Sequence, residues 1–473
     1  MPPNRTRLER DSMGEVPVPE GAYYGASTQR ARQNFPISSL RMPRRFIRAL
    51  AQIKGAAALV NAELGLLDTA LANPIERAAE EVEEGKFDQD FVVDVFQTGS
   101  GTSTNTNANE VIANRANEIL GQPLGARKPV HPNDHVNKCQ SSNDVIPSAM
   151  QLAALVAIHE ELLPALDVLL VTLAQKATEF TPVVKTGRTH LQDATPIRLG
   201  QEFHGYAGQV QRSMQRIRRG AEELADLPLG GTAVGTGINA HPEFAQRVCS
   251  HLGRRTGIMV RETDNHFQAQ ATLDAVLSAA GALRSTAVSL WKIGNDLRWF
   301  ASGPRAGLGE ITLPEVQPGS SIMPGKVNPV IIESLTMVVA KVLGNDQTLT
   351  IAAQSGSIFE LNLMMPVAAF CLLESISLLA AASQNLASQC IAGVSATDRG
   401  PRMVEEGLML ATALAPAIGY DAAAGIAKEA LASGKTVREV ARERSGLSPA
   451  ELDRLLDPRA MTAPGVGTGQ AGG

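Results

Sequence analysis

VIPSAMQLAALVAIHEELLPALDVLLVTLAQKATEF, residues 145–180, carries Leu152, Leu155, Leu162, Leu166, Leu169 and Leu173 three to seven residues apart, the recurrence of one face of a helix. A continuous helix of that length would reach ~50 Å. Pro164 falls inside it and is expected to bend it, because the ring removes one backbone donor and crowds the preceding turn. Four further stretches, 201–227, 267–302, 329–355 and 359–393, read the same way. Five long helices imply an all-α fold organised as a bundle. MVVAKVL at 337–343 and LLAAASQNLA at 378–387 are apolar nearly all round, so one chain's helices leave them uncovered and burial against other subunits is expected. From Ser375 to Thr397 no charge occurs, yet Ser, Gln and Asn recur, unlike the ~20 predominantly apolar residues of a membrane span. That stretch reads as a buried helix.

At 473 residues a prior of ~150 residues per domain suggests about three. Residues 1–140, broken by Pro and Gly with helical patterns only at 45–64 and 106–120, read as an N-terminal domain. Residues 141–396 are the long-helix domain. Residues 397–473 read as a small helical domain, with helices near 402–416, 421–433 and 448–455. The tail TAPGVGTGQAGG from 462 has nothing to pack and is expected to be disordered.

Net charge is -5, with both signs interspersed, which gives nucleic acid no electrostatic footprint. Only 4% of residues are aromatic against 44% hydrophobic, so the core is aliphatic and suits close-packed helices. Cys139, Cys249, Cys371 and Cys390 form no CxxC pair, which suggests neither a disulfide framework nor zinc and fits a reducing cytoplasm. The N-terminus MPPNRTRLERDSMGEV mixes Arg with acids and has no apolar run, so no secretory signal is read there.

The richest chemistry lies in GSSIMPGKVNP at 319–329, a Gly-rich loop with two hydroxyls, one Lys and one Asn. Asn328 as N-cap and Pro329 as first helical residue would deliver Lys326 to a helix N-terminus, where free amides favour an anion. The same residue types also suit a mobile loop that merely caps the helix.

This loop resembles the signature of the fumarase/aspartase superfamily. The likeness continues, in the family's order, through GSGTSTNTNANEVIANRA at 99–116, HPNDHVNKCQSSND at 131–144, GRTHLQDATP at 187–196 and GGTAVGTGIN at 230–239. It implies a cofactor-free lyase that removes a proton from the carbon beside a carboxylate while a group leaves the adjacent carbon. By the resemblance Ser320 is the base, and Lys326 and Asn328 donate to the carboxylate that takes up the carbanion's charge, as in an oxyanion hole. The resemblance makes His190 the acid for a departing hydroxide, a role that suits a group titrating near neutral pH, and pairs it with Glu333. Ser100, Gly101, Thr102, Ser141, Ser142, Asn143, Thr189, Ser321 and Val327 occupy the matching substrate-binding positions. For several of these an ordinary N-cap is the competing reading, and Asn143 or Asp144 also suits the start of the long helix.

His131, Pro132, Asn133 and Asp134 align with a second, weaker anion site of the family. His131 and His135, four apart, also resemble metal ligands, but Pro132 argues against a helix there and no third ligand is evident. Gly235–Ala240 matches G-x-G-x-x-A without a preceding strand pattern and reads as a loop. Cys139 beside Lys138 reads as an inert thiol.

Within the superfamily His190 and Ser141-Ser142-Asn143 take the class II fumarase form, where aspartases have Gln and Ser-Thr-Asn. The implied reaction is reversible, stereospecific anti hydration of fumarate to (S)-malate, a tricarboxylic acid cycle step. The implied assembly is a homotetramer with a twenty-helix core and active sites shared between subunits. The rival readings are an aspartate ammonia-lyase on the same fold and a non-catalytic structural member of the superfamily.

Overall fold

A computed structural model describes residues 5–465. The chain is mainly helical, 62% by residue, with β-structure confined to two-stranded pieces. It opens with a hairpin, β1 (Thr6–Asp11) and β2 (Gly14–Pro19), followed by α1 (Ala26–Asn34), α2 (Arg44–Glu63), α3 (Thr69–Glu83), α4 (Thr102–Ile119), α5 (Ser142–Ala157) and α6 (Leu163–Glu179). A second hairpin, β3 (Val184–Thr189) and β4 (Gln192–Arg198), leads into α7 (Leu199–Ala221). Then come α8 (Phe244–Thr256), α9 (His266–Ala271), α10 (Asp274–Phe300), α11 (Val330–Gly356) and α12 (Met365–Asn385). The chain closes with α13 (Arg399–Glu406), α14 (Ala415–Ile418), α15 (Tyr420–Ser433), α16 (Val437–Arg444) and α17 (Pro449–Leu455).

Two compact units result, one of Met1–Pro164, Ser213–Ala287 and Val338–Ala380, the other of Ala165–Arg212, Val288–Met337 and Ala381–Gly473. Every point at which the chain passes between them lies inside a long helix.

The helix expected over 145–180 begins three residues earlier and loosens into a wider turn at Ile158–Leu162. Pro164 supplies the cause: it cannot donate to the carbonyl of Glu160, and the wider turn makes room for its ring. From Asp144 to Ala157 the first part of this helix is buried all round, which its run of Ala, Leu, Val and Ile allows.

Two expected spans divide. The stretch 267–302 breaks at Thr272–Leu273, where Gln268 Nε2 and Thr272 Oγ1 both donate to Asp274 Oδ2. The stretch 359–393 begins instead with a tight hairpin, Ser357–Ile358 against Leu361–Asn362, and turns helical only at Met365. From Met365 to Gly393 the helix and its terminal turns are long and apolar enough to cross a membrane, with mean hydropathy 1.9. Ser375 and Ser383 are buried within it, Ser375 donating to the carbonyl of Cys371.

Several elements escaped the pattern reading. Pro74 inside α3 masked a helix that Asp68 caps by accepting from Ala70 N. The β1–β2 hairpin buries only Val16 and Val18 of its second strand, too short an alternation to stand out. Pro132 opens a single helical turn, Pro132–Val136, where its presence had argued against any helix; at the first helical position a proline's missing N–H costs nothing. Thr462 at the head of the C-terminal stretch is held, its Oγ1 accepting from Arg198 Nε (2.8 Å) and its carbonyl from Gln201 Nε2 (2.9 Å). The remainder of the expected tail, from 466, lies outside the described residues.

Candidate active site

The candidate residues fall into two groups, one in each unit. In the first, Gly101 adopts φ 74° just before α4, and a Cβ there would sit 2.8 Å from Ile146 of α5. A side chain is therefore excluded on two counts, and the turn lies against α5. Ser100 Oγ and Thr102 Oγ1 are 2.8 Å apart; Ser100 is buried and Thr102 exposed.

The start of α5 is capped by Ser141, not by Asn143 or Asp144. Ser141 Oγ accepts from Asn143 N, and Asp144 Oδ1 accepts from Ser141 N at 2.9 Å, a reciprocal capping box. The other oxygen, Asp144 Oδ2, accepts from Gly230 N and Thr232 N, both at 3.0 Å, and Asn143 Nδ2 donates to Ala233 O. The GGTAVGTGIN loop thus docks on the N-terminus of α5. Asp144 is wholly buried, and burial lifts its carboxyl to about 6 against the pull of these N–H groups. Beneath the same segment lies Lys54 of α2, 0% exposed, its Nζ donating to Asn137 Oδ1 (2.8 Å) and Gln140 Oε1 (2.9 Å). Burial lowers this amine to about 7 while the charge of Asp144 opposes the fall.

His131 and Asp134 line an open groove with Gln122, Arg127 and Lys128. Arg127 Nη2 lies 2.9 Å from His131 Nε2, and His131 Nδ1 accepts from Asp134 N. The Nδ1 of His135 accepts from the backbone N–H of His131, so the two rings do not converge as a ligand pair. Burial lowers the His131 imidazole against the opposing charge of Asp134.

In the second unit the 319–328 loop is closed on itself. Gly319 N donates to Lys326 O (3.0 Å), and Asn328 Nδ2 donates to Gly319 O (2.5 Å). A Cβ on Gly319 would lie 2.2 Å from Lys326 O, so only glycine permits this closure. Asn328 therefore ties the loop instead of capping α11; the first helical carbonyl is that of Pro329, which accepts from Glu333 N. Ser320 Oγ accepts from Ile322 N (3.3 Å) and Met323 N (3.0 Å). Ser321, Lys326 and Val327 are exposed, and the Lys326 amine has no ion pair among the described residues.

Thr189 and His190 stand at the tip of the β3–β4 hairpin, where Thr189 pairs with Gln192 across His190 (φ 57°) and Leu191 (φ 60°). Two successive left-handed residues make the tight turn that matches strand twist. Neither is glycine, so each costs roughly 1–2 kcal/mol. GRTHLQDATP thus forms the turn and parts of both strands of a hairpin that the usual Asn-Gly or Asp-Gly signal does not announce. His190 and Glu333 are both exposed, and among the described residues no hydrogen bond or ion pair joins them.

The hairpin stem is anchored by charges that the sequence reading did not single out. Arg188 grips Glu310 with both nitrogens (2.9 and 3.1 Å), and Lys185, 1% exposed, lies 3.4 Å from Glu310 and 3.2 Å from Glu202. Burial raises the Glu202 carboxyl against the pull of Lys185. Removing one partner of such a buried cluster strands the others. Glu310→Ala is expected to cost ~3–5 kcal/mol, read as a lower urea midpoint with Lys185 and Arg188 intact; an unchanged midpoint would show that the cluster does not hold the stem.

Residues 14–344 match the family model described as Lyase, and residues 410–463 match one described as fumarase C C-terminus. A class II fumarate hydratase of Halobacterium salinarum is 54% identical over 98% of each chain. One from Bradyrhizobium diazoefficiens is 52% identical over 97% of each. The solved structure of recombinant class II fumarase from Schistosoma mansoni superposes with a TM-score of 0.94 at 39% identity, covering 97% of this chain and 99% of that one.

Proposed function

The chain belongs to the lyase family, with the C-terminal segment of fumarase C, and we infer that it is a class II hydro-lyase interconverting fumarate and (S)-malate. Full-length relatives near 50% identity carry that activity in their names. The observation that carries water as the leaving group is His190: it stands exposed at the tip of a strained hairpin, its ring nitrogens without a hydrogen-bond partner among the described residues. A hydroxide must be protonated as it departs, whereas ammonium leaves without such an acid.

In the proposed cycle Ser320 Oγ takes the proton beside the carboxylate, and two backbone N–H groups already face that oxygen. Lys326 and the second N–H of Asn328 stabilise the charge that develops on the carboxylate. His190, oriented by Glu333, gives its proton to the leaving hydroxide; in the reverse direction the roles exchange. Ser100, Gly101, Thr102, Ser141, Ser142, Asn143, Thr189, Ser321 and Val327 bind the dicarboxylate, and the His131–Asp134 groove is the second anion site. The reaction so written calls for no cofactor or metal.

The assembly read here is a homotetramer with sites completed between subunits. Support comes from Val288, Trp291 and Trp299 of α10 and Met337 and Ile351 of α11, all large apolar side chains left 46–68% or nearly half exposed in one chain. That no hydrogen bond or ion pair joins His190 to Glu333 among the described residues points the same way. The division at 140 and 397 is supported at its C-terminal end by the separate match over 410–463. A cytoplasmic location is supported by four buried thiols with no disulfide.

The purified protein should consume fumarate, followed by loss of its ultraviolet absorbance, and should sediment or scatter as a tetramer. An inert protein, or deamination of aspartate faster than dehydration of malate, would overturn the reading.

A further inference from the structure

Lys54 belongs to no motif, yet it is a fully buried amine directly behind the Ser141–Asn143 segment. The chemistry of its neighbours has a direction. Lys54 Nζ donates to Asn137 Oδ1 and Gln140 Oε1. Asn105 Nδ2 donates to the same Asn137 Oδ1 (3.2 Å) and, with its other hydrogen, to Ser142 Oγ (3.0 Å). The opposite ends of the two amides agree: Asn137 Nδ2 donates to Gln140 O, and Gln140 Nε2 to the carbonyls of Val136 and Lys138.

Turning Asn137 over would set its N–H groups against those of Lys54 and its oxygen against a carbonyl, two repulsions in place of two bonds. Turning Asn105 over would set two oxygens together. Charged or neutral, the amine has at least two N–H bonds to give, so the ordering does not depend on its protonation state. One cost is visible: Asn105 Oδ1 is buried without a partner.

We infer that Lys54 is a positioning residue for substrate binding. It orients the relay Asn137–Asn105 so that Ser142 Oγ receives a hydrogen bond from inside the protein and keeps its own hydrogen to donate outward to a substrate carboxylate. Without the amine only the bond to Gln140 O still orders Asn137, so Asn137 and Asn105 reverse more readily and the Ser142 hydroxyl then spends its hydrogen inward.

This inference rests on the dicarboxylate reading of the site, and a double-mutant cycle separates the two. Lys54→Met, Ser142→Ala and the double variant would be compared by KM and kcat for fumarate and, independently of turnover, by the Kd of succinate in calorimetry. One charge-assisted hydrogen bond corresponds to roughly a tenfold or greater change. Ser142→Ala is expected to raise KM and Kd by about that factor with kcat within a few-fold. Lys54→Met should reproduce the loss alone, and the double variant should be no worse than either single one. If Lys54→Met does not yield folded tetramer, Asn137→Leu interrupts the relay one step further on and should show the same non-additivity with Ser142→Ala. Unchanged affinity in these variants, or a double variant weakened by the product of the two single factors, would overturn the inference. A wild-type protein that binds succinate without hydrating fumarate would instead fail the hydratase reading.

Discussion

Replacing Ser320 with Ala is expected to lower fumarate turnover by roughly a thousandfold or more, in the range general-base catalysis contributes, with little change in helical content. The loop's closure does not depend on that hydroxyl: Gly319, Lys326 and Asn328 tie its ends. What the hydroxyl uniquely provides is an oxygen already faced by Ile322 N and Met323 N, the nearer at 3.0 Å. If each acts as an oxyanion-hole donor, the pair contributes about 6 kcal/mol toward an alkoxide, and an exposed Lys326 would have to supply much of the rest. A variant with near-normal kcat would remove Ser320 as the base and leave the loop a carboxylate cradle only. Circular dichroism and light scattering on the same sample check that assembly survives.

His190→Asn is expected to reduce malate dehydration by roughly a hundred- to ten-thousandfold, while the hairpin persists. Asn is the informative choice because it tolerates the left-handed φ of 57° better than other side chains, so lost geometry cannot account for lost activity. The alkaline limb of the pH–rate profile for malate dehydration, which reports loss of the acid's proton, should disappear with it. Glu333→Gln should show a smaller loss of the same kind if the proposed pairing holds, because a carboxylate partner would only orient the ring and raise its basicity. A His190→Asn protein retaining the wild-type profile would mean that another group protonates the leaving hydroxide.

Much of the fold was legible because five long helices with aliphatic faces announce themselves by their period. Their ends were not. The break at Thr272, the wide turn before Pro164 and the hairpin at 357–362 each follow from local hydrogen bonding that periodicity does not encode. At the site, residue types and spacing singled out the 319–329 loop with Lys326, while the roles of Ser320 and His190 came from the family resemblance. Asn328 was assigned to the helix cap and is in fact committed to Gly319 O, because a closed loop offered its amide a nearer acceptor.

The residues beneath the site were less visible. Lys54 is a lone charge in ALAQIKGAAALV at 49–60, a signal that marks burial with partners but cannot say which partners. Glu310, Lys185 and Glu202 are more than a hundred residues apart at the extremes and meet only in the folded unit.

The amino-acid sequence by itself determined the helical class, through its period, and membership of the lyase family, through short contiguous patterns such as GSSIMPGKVNP at 319–329. Tertiary structure alone decided the cluster of Lys185, Glu202 and Glu310 beneath the His190 hairpin and the direction of the hydrogen bonds reaching Ser142. Those depend on donors and acceptors brought together from distant segments, and a hydrogen bond's direction is settled only when every neighbour has taken its place.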